Sequence, residues 1–307
     1  MISVLMSTYK EPLPWIRASV KSILNQTFRD IELVVVVDNP EDEHLIRLLE
    51  EYCSIHSNIK VVVNSQNMGL VKSLNKGLAF CTGEHIARMD ADDIADPRRL
   101  ERQLQEMSKH EYDLIGCQVE KFWEDNCYGV EEIPFSHEAC CKVLRYMNCV
   151  AHPSWLAKRS VFERLNGYRD MDACEDYDFL LRAVLNGFRI GNVPEVLLRY
   201  RLNPDSISHL KKNRQRVLAD MLAGSYRKGR TLTEAEVQAS YSDGSFDRRV
   251  NEAEWIHCLE EKYKDESRKD RYMYLAQLMC NGTYFKSKFS NKYVQAIRKT
   301  DCKKRGK

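Results

Sequence analysis

The first 117 residues alternate between short apolar runs and helical patterns, and this alternation restricts the fold more than any other feature. The run Val34–Val37 is apolar at every position, as expected of a strand that is covered on both faces. Strands that alternate with helices of about ten residues form βαβ units around a mainly parallel sheet. The predicted strands are Ile2–Ser7, Ile31–Val37, Ile59–Val63, His85–Met89 and Asp113–Cys117, and the predicted helices are Trp15–Leu24, Glu43–Ile55, Val71–Phe80 and Arg98–Met107.

The alternation ends after Gln118. We predict a loop or hairpin over residues 119–136, and two short strands between Phe188 and Tyr200 that are interrupted at Pro194, since proline cannot donate to a strand ladder. Beyond Leu210 the chain reads as polar helical segments with a loop at Ser240–Phe246. The remaining predictions are a helix at His137–Met147, a short strand at Ser154–Leu156 and a helix at Glu175–Asn186. We therefore predict two domains, an α/β domain over residues 1–210 and a helical extension over residues 211–307.

The net charge of +2 conceals a difference between these two parts. Residues 1–210 carry a balance of −8, whereas residues 211–307 carry +10. Eleven cysteines occur without a CxxC spacing, and no run of about 18 apolar residues is present. Because the first residues also lack a signal-peptide pattern, we expect a cytoplasmic protein with reduced thiols.

The last 37 residues interleave basic and aromatic side chains, and Asp301 is their one acidic residue. This pattern suits the surface of an anionic membrane, which would place the protein on the inner face of the plasma membrane. An equally good interpretation is a solvated helical face that balances the acidic first domain. Nothing in the first 210 residues indicates a nucleic-acid partner.

Three carboxylates follow the predicted strand at His85–Met89, namely Asp90, Asp92 and Asp93. Ligands of open α/β sheets bind just beyond the carboxyl ends of strands. Carboxylates that cluster there repel one another unless a cation joins them, and a hard divalent ion shared with a diphosphate is the natural candidate. The alternative is a solvated acidic loop that caps the helix starting near Pro97.

Three further polar segments follow predicted strands, and a parallel sheet would bring all of them to the same edge. They are Ser7–Glu11, Asp38–Asn39 and Asn64–Gly69. Each segment alone is typical of an ordinary turn or helix entry, but their joint placement predicts a nucleotide site.

Taken in order, these motifs resemble the nucleotide-sugar domain of the family-2 glycosyltransferases, and the resemblance covers about residues 1–210. The matching segments are Ser7–Tyr9, Asp38, Asn67–Leu70, Asn75–Gly77, Gly83–Glu84 and Asp90–Asp93. The resemblance implies a GT-A fold and an inverting hexosyltransferase that uses Mg²⁺ or Mn²⁺. It implies a nucleotide-diphosphate sugar donor, UDP-linked by preference, and a saccharide or lipid-linked acceptor of a bacterial surface polysaccharide. The family usually has two Asp, Gly and Ser after its second strand, whereas this chain has Asp38–Glu41, so base or ribose contacts beyond Asp38 are not carried over.

The resemblance also implies roles for individual residues. Asp92 would be the main metal ligand, with Asp90 near the ribose or metal and His209 completing the metal shell. Arg201 would neutralise the leaving diphosphate. The residues expected to contact the donor are Thr8, Tyr9, Glu11, Asp38, Asn67, Gly69, Lys72, Asp90, Ala91 and Arg201.

A second acidic pair, Glu175-Asp176, resembles the family's Glu-Asp motif, in which the Asp is the general base. Independently of the family, a carboxylate in the first turn of a helix is held ionised by the helix dipole. Inversion by direct displacement needs one such base. We therefore predict Asp176 as the base with Glu175 as the alternative, although acids also favour helix initiation without any catalytic role.

His152 and Trp155 also match the family and are predicted to contact the acceptor, Trp155 by stacking on a sugar. A tryptophan in the protein core is the alternative for Trp155.

Two other functions remain open from the sequence. A haloacid-dehalogenase phosphatase also uses Asp-x-Asp after a strand, but the Thr expected shortly after it is missing from Asp90–Ala95. A non-catalytic nucleotide-sugar binding module would not need Asp176.

Overall fold

The computed structural model describes residues 1–203, 211–265, 278 and 281–305. Its strands are β1 (Ile2–Thr8), β2 (Ile31–Val37), β3 (Ile59–Val63), β4 (His85–Asp90), β5 (Ile94–Ala95), β6 (Leu114–Trp123), β7 (Asn126–Glu131), β8 (Leu156–Lys158) and β9 (Ile190–Arg201). Its helices are α1 (Leu13–Leu24), α2 (Glu43–Ile55), α3 (Leu70–Leu78), α4 (Arg99–His110), α5 (His137–Val143), α6 (Arg159–Leu165), α7 (Glu175–Leu185), α8 (Lys212–Tyr226), α9 (Glu234–Ser242), α10 (Ser245–Asp265) and α11 (Gly282–Arg305), with one 3₁₀ turn at His152–Ser154.

The strands form a single mixed sheet in the order β3-β2-β1-β4-β8-β6-β9-β5, with β7 paired to the outer half of β6. Strands β1 to β4 are parallel neighbours, so their carboxyl ends meet at one edge. In register, Ser7 of β1 lies between Val36 of β2 and Asp90 of β4. The prediction of parallel strands that end at one edge is therefore confirmed, and residues 119–136 contain the predicted hairpin.

Strand β2 shows why the sheet has helices on both faces. Val34 and Val36 belong to one hydrophobic core, and Leu33, Val35 and Val37 belong to the other. Because successive side chains of a strand point to opposite faces, an unbroken apolar run needs cover on both sides.

Four boundary predictions are wrong. The helix predicted at His137–Met147 ends at Val143, and the strand predicted at Ser154–Leu156 begins only at Leu156, after the 3₁₀ turn. Pro194 does not end a strand, because β9 continues past it and the pairing with β6 jumps from Val193 to Val196. The two skipped residues form an irregularity of the kind that tolerates a residue without an N–H. The predicted loop at Ser240–Phe246 is also too long, since α9 ends at Ser242 and α10 begins at Ser245.

The C-terminal extension packs on the α/β part through a shared core. Leu218, Phe246 and Val294 belong to the same hydrophobic cluster as Phe179 of α7. Asp301 accepts hydrogen bonds from the backbone N–H groups of Phe135 and Ser136 at 2.6 and 3.0 Å, and from the Ser136 hydroxyl. The single acidic residue of the last 37 thus docks α11 beside the start of α5.

The domain boundary at 210 stays a prediction, since residues 204–210 lie outside the described part. None of the helices in the described residues combines the length and apolar character that a membrane span requires.

Candidate active site

A cleft of about 1080 Å³ opens at the sheet edge where β1, β2 and β4 end. The start of α7, the 3₁₀ turn and the end of β9 form its other walls. Of the predicted site residues, Ala91 and Trp155 do not line the cleft, and His209 lies outside the described residues. Those that do line it are Thr8, Tyr9, Glu11, Asp38, Asn67, Gly69, Lys72, Asp90, Asp92, His152, Glu175, Asp176 and Arg201.

The acidic cluster at the end of β4 is held tightly together. One carboxylate oxygen from each of Asp90, Asp92 and Asp93 lies within 4.8 Å of the others. Asp93 is 1% exposed, and its Oδ2 has no hydrogen-bond partner within the described structure. Burial and the neighbouring carboxylates raise the pKa of both Asp92 and Asp93. The cluster thus offers hard oxygen donors, and the repulsion between its carboxylates is of the kind that a divalent cation relieves.

Arg88 is a component of the site that the sequence reasoning missed. It lies on β4 two residues before Asp90, so both side chains point to the same face, and its guanidinium forms an ion pair with the Asp90 carboxylate. The side chain is 2% exposed. The sequence feature that could have indicated it is an arginine between the apolar residues Ala87 and Met89 of a predicted buried strand.

Arg201 ties the end of β9 to the acidic loop. Its backbone N–H donates to Asp93 at 2.8 Å, and its Nε donates to the Asp92 carbonyl at 2.8 Å. The guanidinium carbon lies 4.5 Å from the Trp15 ring centre and 4.4 Å from that of Phe122. These contacts fix the Arg201 guanidinium beside the carboxylates.

Asp38 organises the loop that precedes α3. It accepts hydrogen bonds from the backbone N–H groups of Met68 and Gly69 at 2.7 and 2.9 Å, and from the Asn64 amide at 2.7 Å. Gly69 has φ +82°, a conformation that glycine adopts without strain. The carboxylate therefore holds the loop at the cleft wall.

Glu11 plays a similar part at the end of β1. Its carboxylate accepts from the Thr8 hydroxyl and from the Tyr9 backbone N–H, both at 2.7 Å. The predicted donor-binding segments at β1 and at α3 are thus each fixed by an internal carboxylate.

The second acidic pair occupies the first two positions of α7. Glu175 is 7% exposed, and Asp176 accepts hydrogen bonds from the Asn148 amide at 2.7 Å and the Tyr177 backbone N–H at 2.6 Å. Burial raises the pKa of both carboxyls, although these hydrogen bonds and the Arg88 charge act in the opposite direction on Asp176. The helix terminus therefore does not set their titration by itself, and a pKa raised towards neutral makes a carboxylate a stronger base.

Asn148 was not predicted, and no sequence motif distinguishes it. It reaches Asp176 only because the segment between α5 and the 3₁₀ turn folds across the start of α7.

His152 lines the cleft, and its Nε2 lies 3.0 Å from the Tyr168 hydroxyl. Burial lowers the pKa of this histidine well below its ordinary value, so it is neutral. Trp155 behaves differently from its predicted role. Its ring is 0% exposed, packs against Phe179 and donates its Nε1–H to the Val150 carbonyl at 3.0 Å. A ring with no exposed face cannot stack on a sugar, so the core alternative is correct.

Comparison with known proteins agrees with this geometry. Residues 3–164 match the model of the family described as Glycosyl transferase family 2. The O-antigen biosynthesis glycosyltransferase WbnJ of Escherichia coli is 31% identical over 242 residues, which is 76% of this chain and 91% of that protein.

Two solved structures share the fold at 16% identity and a TM-score of 0.61. The alignment with S. aureus TarS 1–349 in complex with UDP-GlcNAc covers 96% of this chain and 83% of the TarS chain. The alignment with the Pyrobaculum calidifontis mannosyltransferase PcManGT, in complex with GDP-Man and Mn²⁺, covers 98% of this chain and 86% of the PcManGT chain. The chain therefore belongs to glycosyl transferase family 2, and it is a glycosyltransferase with the GT-A fold.

Proposed function

We propose that this glycosyltransferase is a metal-dependent, inverting enzyme that moves a sugar from a UDP-linked donor to a saccharide acceptor of a surface polysaccharide. The observation that carries the proposal is that two separate acidic pairs, Asp90 with Asp92 and Glu175 with Asp176, line one cleft. Complexes of two structural neighbours with a nucleotide sugar support the donor class. The relative named for O-antigen biosynthesis supports the pathway.

The residues at the end of β4 fit a divalent ion. Asp92 would be its main ligand with Asp90 beside it, and the close approach of three carboxylates, with one Asp93 oxygen unpartnered in the described structure, supports a cation site. His209 remains a predicted ligand. A bound Mg²⁺ or Mn²⁺ would offset the charge that develops on the leaving diphosphate.

The protein's own groups supply the rest of the reaction. Asp176 takes the proton of the acceptor hydroxyl while that oxygen bonds to the anomeric carbon and the bond from this carbon to the diphosphate oxygen breaks. Attack opposite the leaving group inverts the anomeric centre. Arg201 and Lys72, both at the cleft, provide fixed positive charge for the diphosphate. His152 stays neutral in this scheme and orients the acceptor.

The test is a panel of UDP- and GDP-linked sugars, assayed by release of nucleoside diphosphate with and without EDTA, with the product anomer assigned by NMR. We expect release with a UDP-sugar, loss of release in EDTA, and inverted product. Equal release in EDTA would contradict the metal role, and a retained anomer would contradict direct displacement by an activated hydroxyl.

We also propose that α11 contacts an anionic membrane and so brings the enzyme to a lipid-linked acceptor. Its inner side docks on the protein through buried Val294 and Asp301. The exposed side, here called the basic-aromatic face, consists of Lys286, Phe289, Lys292, Tyr293 and Lys299. Phe289 is 71% exposed and Tyr293 is 44% exposed. Each lysine near an anionic surface contributes about 1 kcal/mol, and the aromatic rings suit the headgroup region.

Sedimentation with anionic liposomes at about 50 mM salt, where screening is weak, tests this surface. The triple variant Lys286→Gln, Lys292→Gln, Lys299→Gln should lose binding while donor hydrolysis is unchanged. The matched control removes three exposed cations elsewhere, at Lys21, Arg47 and Lys109, and should bind like the parent. Equal weakening by both triples would reveal a general charge effect, and a parent that ignores the liposomes would contradict the proposal.

A further inference from the structure

The turn that precedes α7 has a backbone conformation that L-residues rarely adopt. Asp172 has φ 39° and Ala173 has φ 69°. The N–H of Cys174 bonds back to the Met171 carbonyl at 2.8 Å, which closes the turn immediately before Glu175. Two successive residues in the left-handed region persist only where the surroundings hold them there.

The contacts that keep Asp172 in this conformation come from the C-terminal extension. One carboxylate oxygen accepts from Lys211 Nζ at 2.7 Å, and the other accepts from Arg214 Nε at 3.2 Å and from the Tyr241 hydroxyl at 3.3 Å. Burial alone would raise the pKa of Asp172, but the hydrogen bonds and charges of Lys211 and Arg214 hold it below its ordinary value. The carboxylate is therefore ionised and bound on both oxygens.

Gln215 of α8 holds the next two residues. The side-chain amide of Gln215 donates to the Ala173 carbonyl at 2.7 Å, and the backbone carbonyl of Gln215 accepts from the Cys174 thiol at 3.3 Å. Every residue between Met171 and α7 is therefore bound to the extension, and Lys211 and Gln215 also line the cleft.

We propose that Asp172 is a positioning residue, through which the extension holds the strained turn and sets the first turn of α7. Glu175 and Asp176 follow the turn directly, so their place in the cleft depends on its conformation. This inference rests on the proposed role of Asp176 as the base. It gives the extension a role in the transfer reaction that is separate from the proposed membrane contact of its basic-aromatic face.

The experiment compares variants of the full chain by kcat, donor KM, acceptor KM, UDP affinity and melting temperature. Asp172→Ala leaves an L-residue at φ 39° without the contacts to Lys211, Arg214 and Tyr241 that hold it there, so the turn should relax and Asp176 should move. We therefore expect kcat to fall about tenfold or more, while donor KM and UDP affinity stay within about twofold. Adding Ala173→Gly should restore much of the lost kcat, because glycine adopts φ 69° without strain. Ala173→Gly alone should resemble the parent.

Asp247→Ala is the matched control, because Asp247 is the other carboxylate that pairs with Arg214, at 3.5 Å, and does not touch the turn. Three results would overturn the proposal: kcat of Asp172→Ala equal to the parent well below its melting temperature, the same loss in Asp247→Ala, or a loss confined to acceptor KM that glycine does not rescue. The last result would instead indicate direct acceptor binding by Asp172. Failure of the proposed function is distinguishable, because Asp176→Asn would then be as active as the parent.

Discussion

The end of β4 and the start of α7 both present carboxylates to the same cleft, but their charge is compensated in different ways. At β4 the buried Arg88 pairs with Asp90, while Asp93 keeps an oxygen without a partner in the described structure. At α7 the Asp176 carboxylate receives hydrogen bonds from Asn148 and a backbone N–H. The first group has three carboxylates and, among the described residues, two arginines in direct contact with them, Arg88 and Arg201, so its excess of negative charge suits a cation. The second group can be satisfied by a proton. This difference supports the proposal that the first group binds a metal ion and the second supplies the general base.

The largest expected effect is that of Asp176→Asn, which keeps the shape of the side chain but cannot accept a proton. We expect kcat to fall by about 10² to 10⁴, the usual contribution of a positioned general base. Donor KM and UDP affinity should change little, because the lost interaction belongs to the transition state. The companion variant is Glu175→Gln, and full activity of Asp176→Asn beside an inactive Glu175→Gln would reverse the two roles.

Asp92→Ala tests the other side of the comparison. We expect at least about a hundredfold loss of activity, the scale of removing one electrostatic group from a transition state. Mn²⁺ titration should show weakened binding. Asp96→Ala is the control, because Asp96 lies on the same segment but binds the Arg98 backbone and does not line the cleft. A variant that keeps parental Mn²⁺ affinity would contradict the assignment of Asp92 as ligand.

The pH dependence should reflect the raised pKa values of the α7 pair. The base must be deprotonated to act, so kcat should rise with pH through its pKa. Because burial raises that pKa, the acid limb should lie clearly above the value of about 3.9 for a free Asp. A pH–rate profile of the parent measures the limb, and a limb at the ordinary Asp value would contradict a buried base.

Asn148→Ala should have the smallest effect. Loss of its hydrogen bond removes a group that stabilises the ionised Asp176, so the acid limb should move to higher pH. A bond of this kind contributes about 0.5–1.5 kcal/mol, which corresponds to a loss of about two- to tenfold in kcat on the acid side. Asn148→Asp should move the limb further in the same direction, since a second carboxylate replaces the donor. A downward shift in either variant would mean that Asn148 does not act on the base.

Sequence alone determined the parallel half of the sheet, the edge at which the polar segments meet, and the two acidic motifs. These features are local: the unbroken apolar run of β2 indicates that both faces of the sheet are covered, and Asp38 and the acidic cluster of Asp90 to Asp93 lie where strands end. The family resemblance added roles that periodicity could not supply, and the family membership is confirmed.

Only the tertiary structure decided which side chains surround those motifs. Asn148 reaches Asp176 from 28 residues away, and Lys211 reaches Asp172 from 39 residues away. Trp155 matched the family pattern equally well as a core or a site residue, and only packing against Phe179 settled it. Such contacts join residues that are distant along the chain, and a local pattern carries no information about which distant group comes to lie beside it.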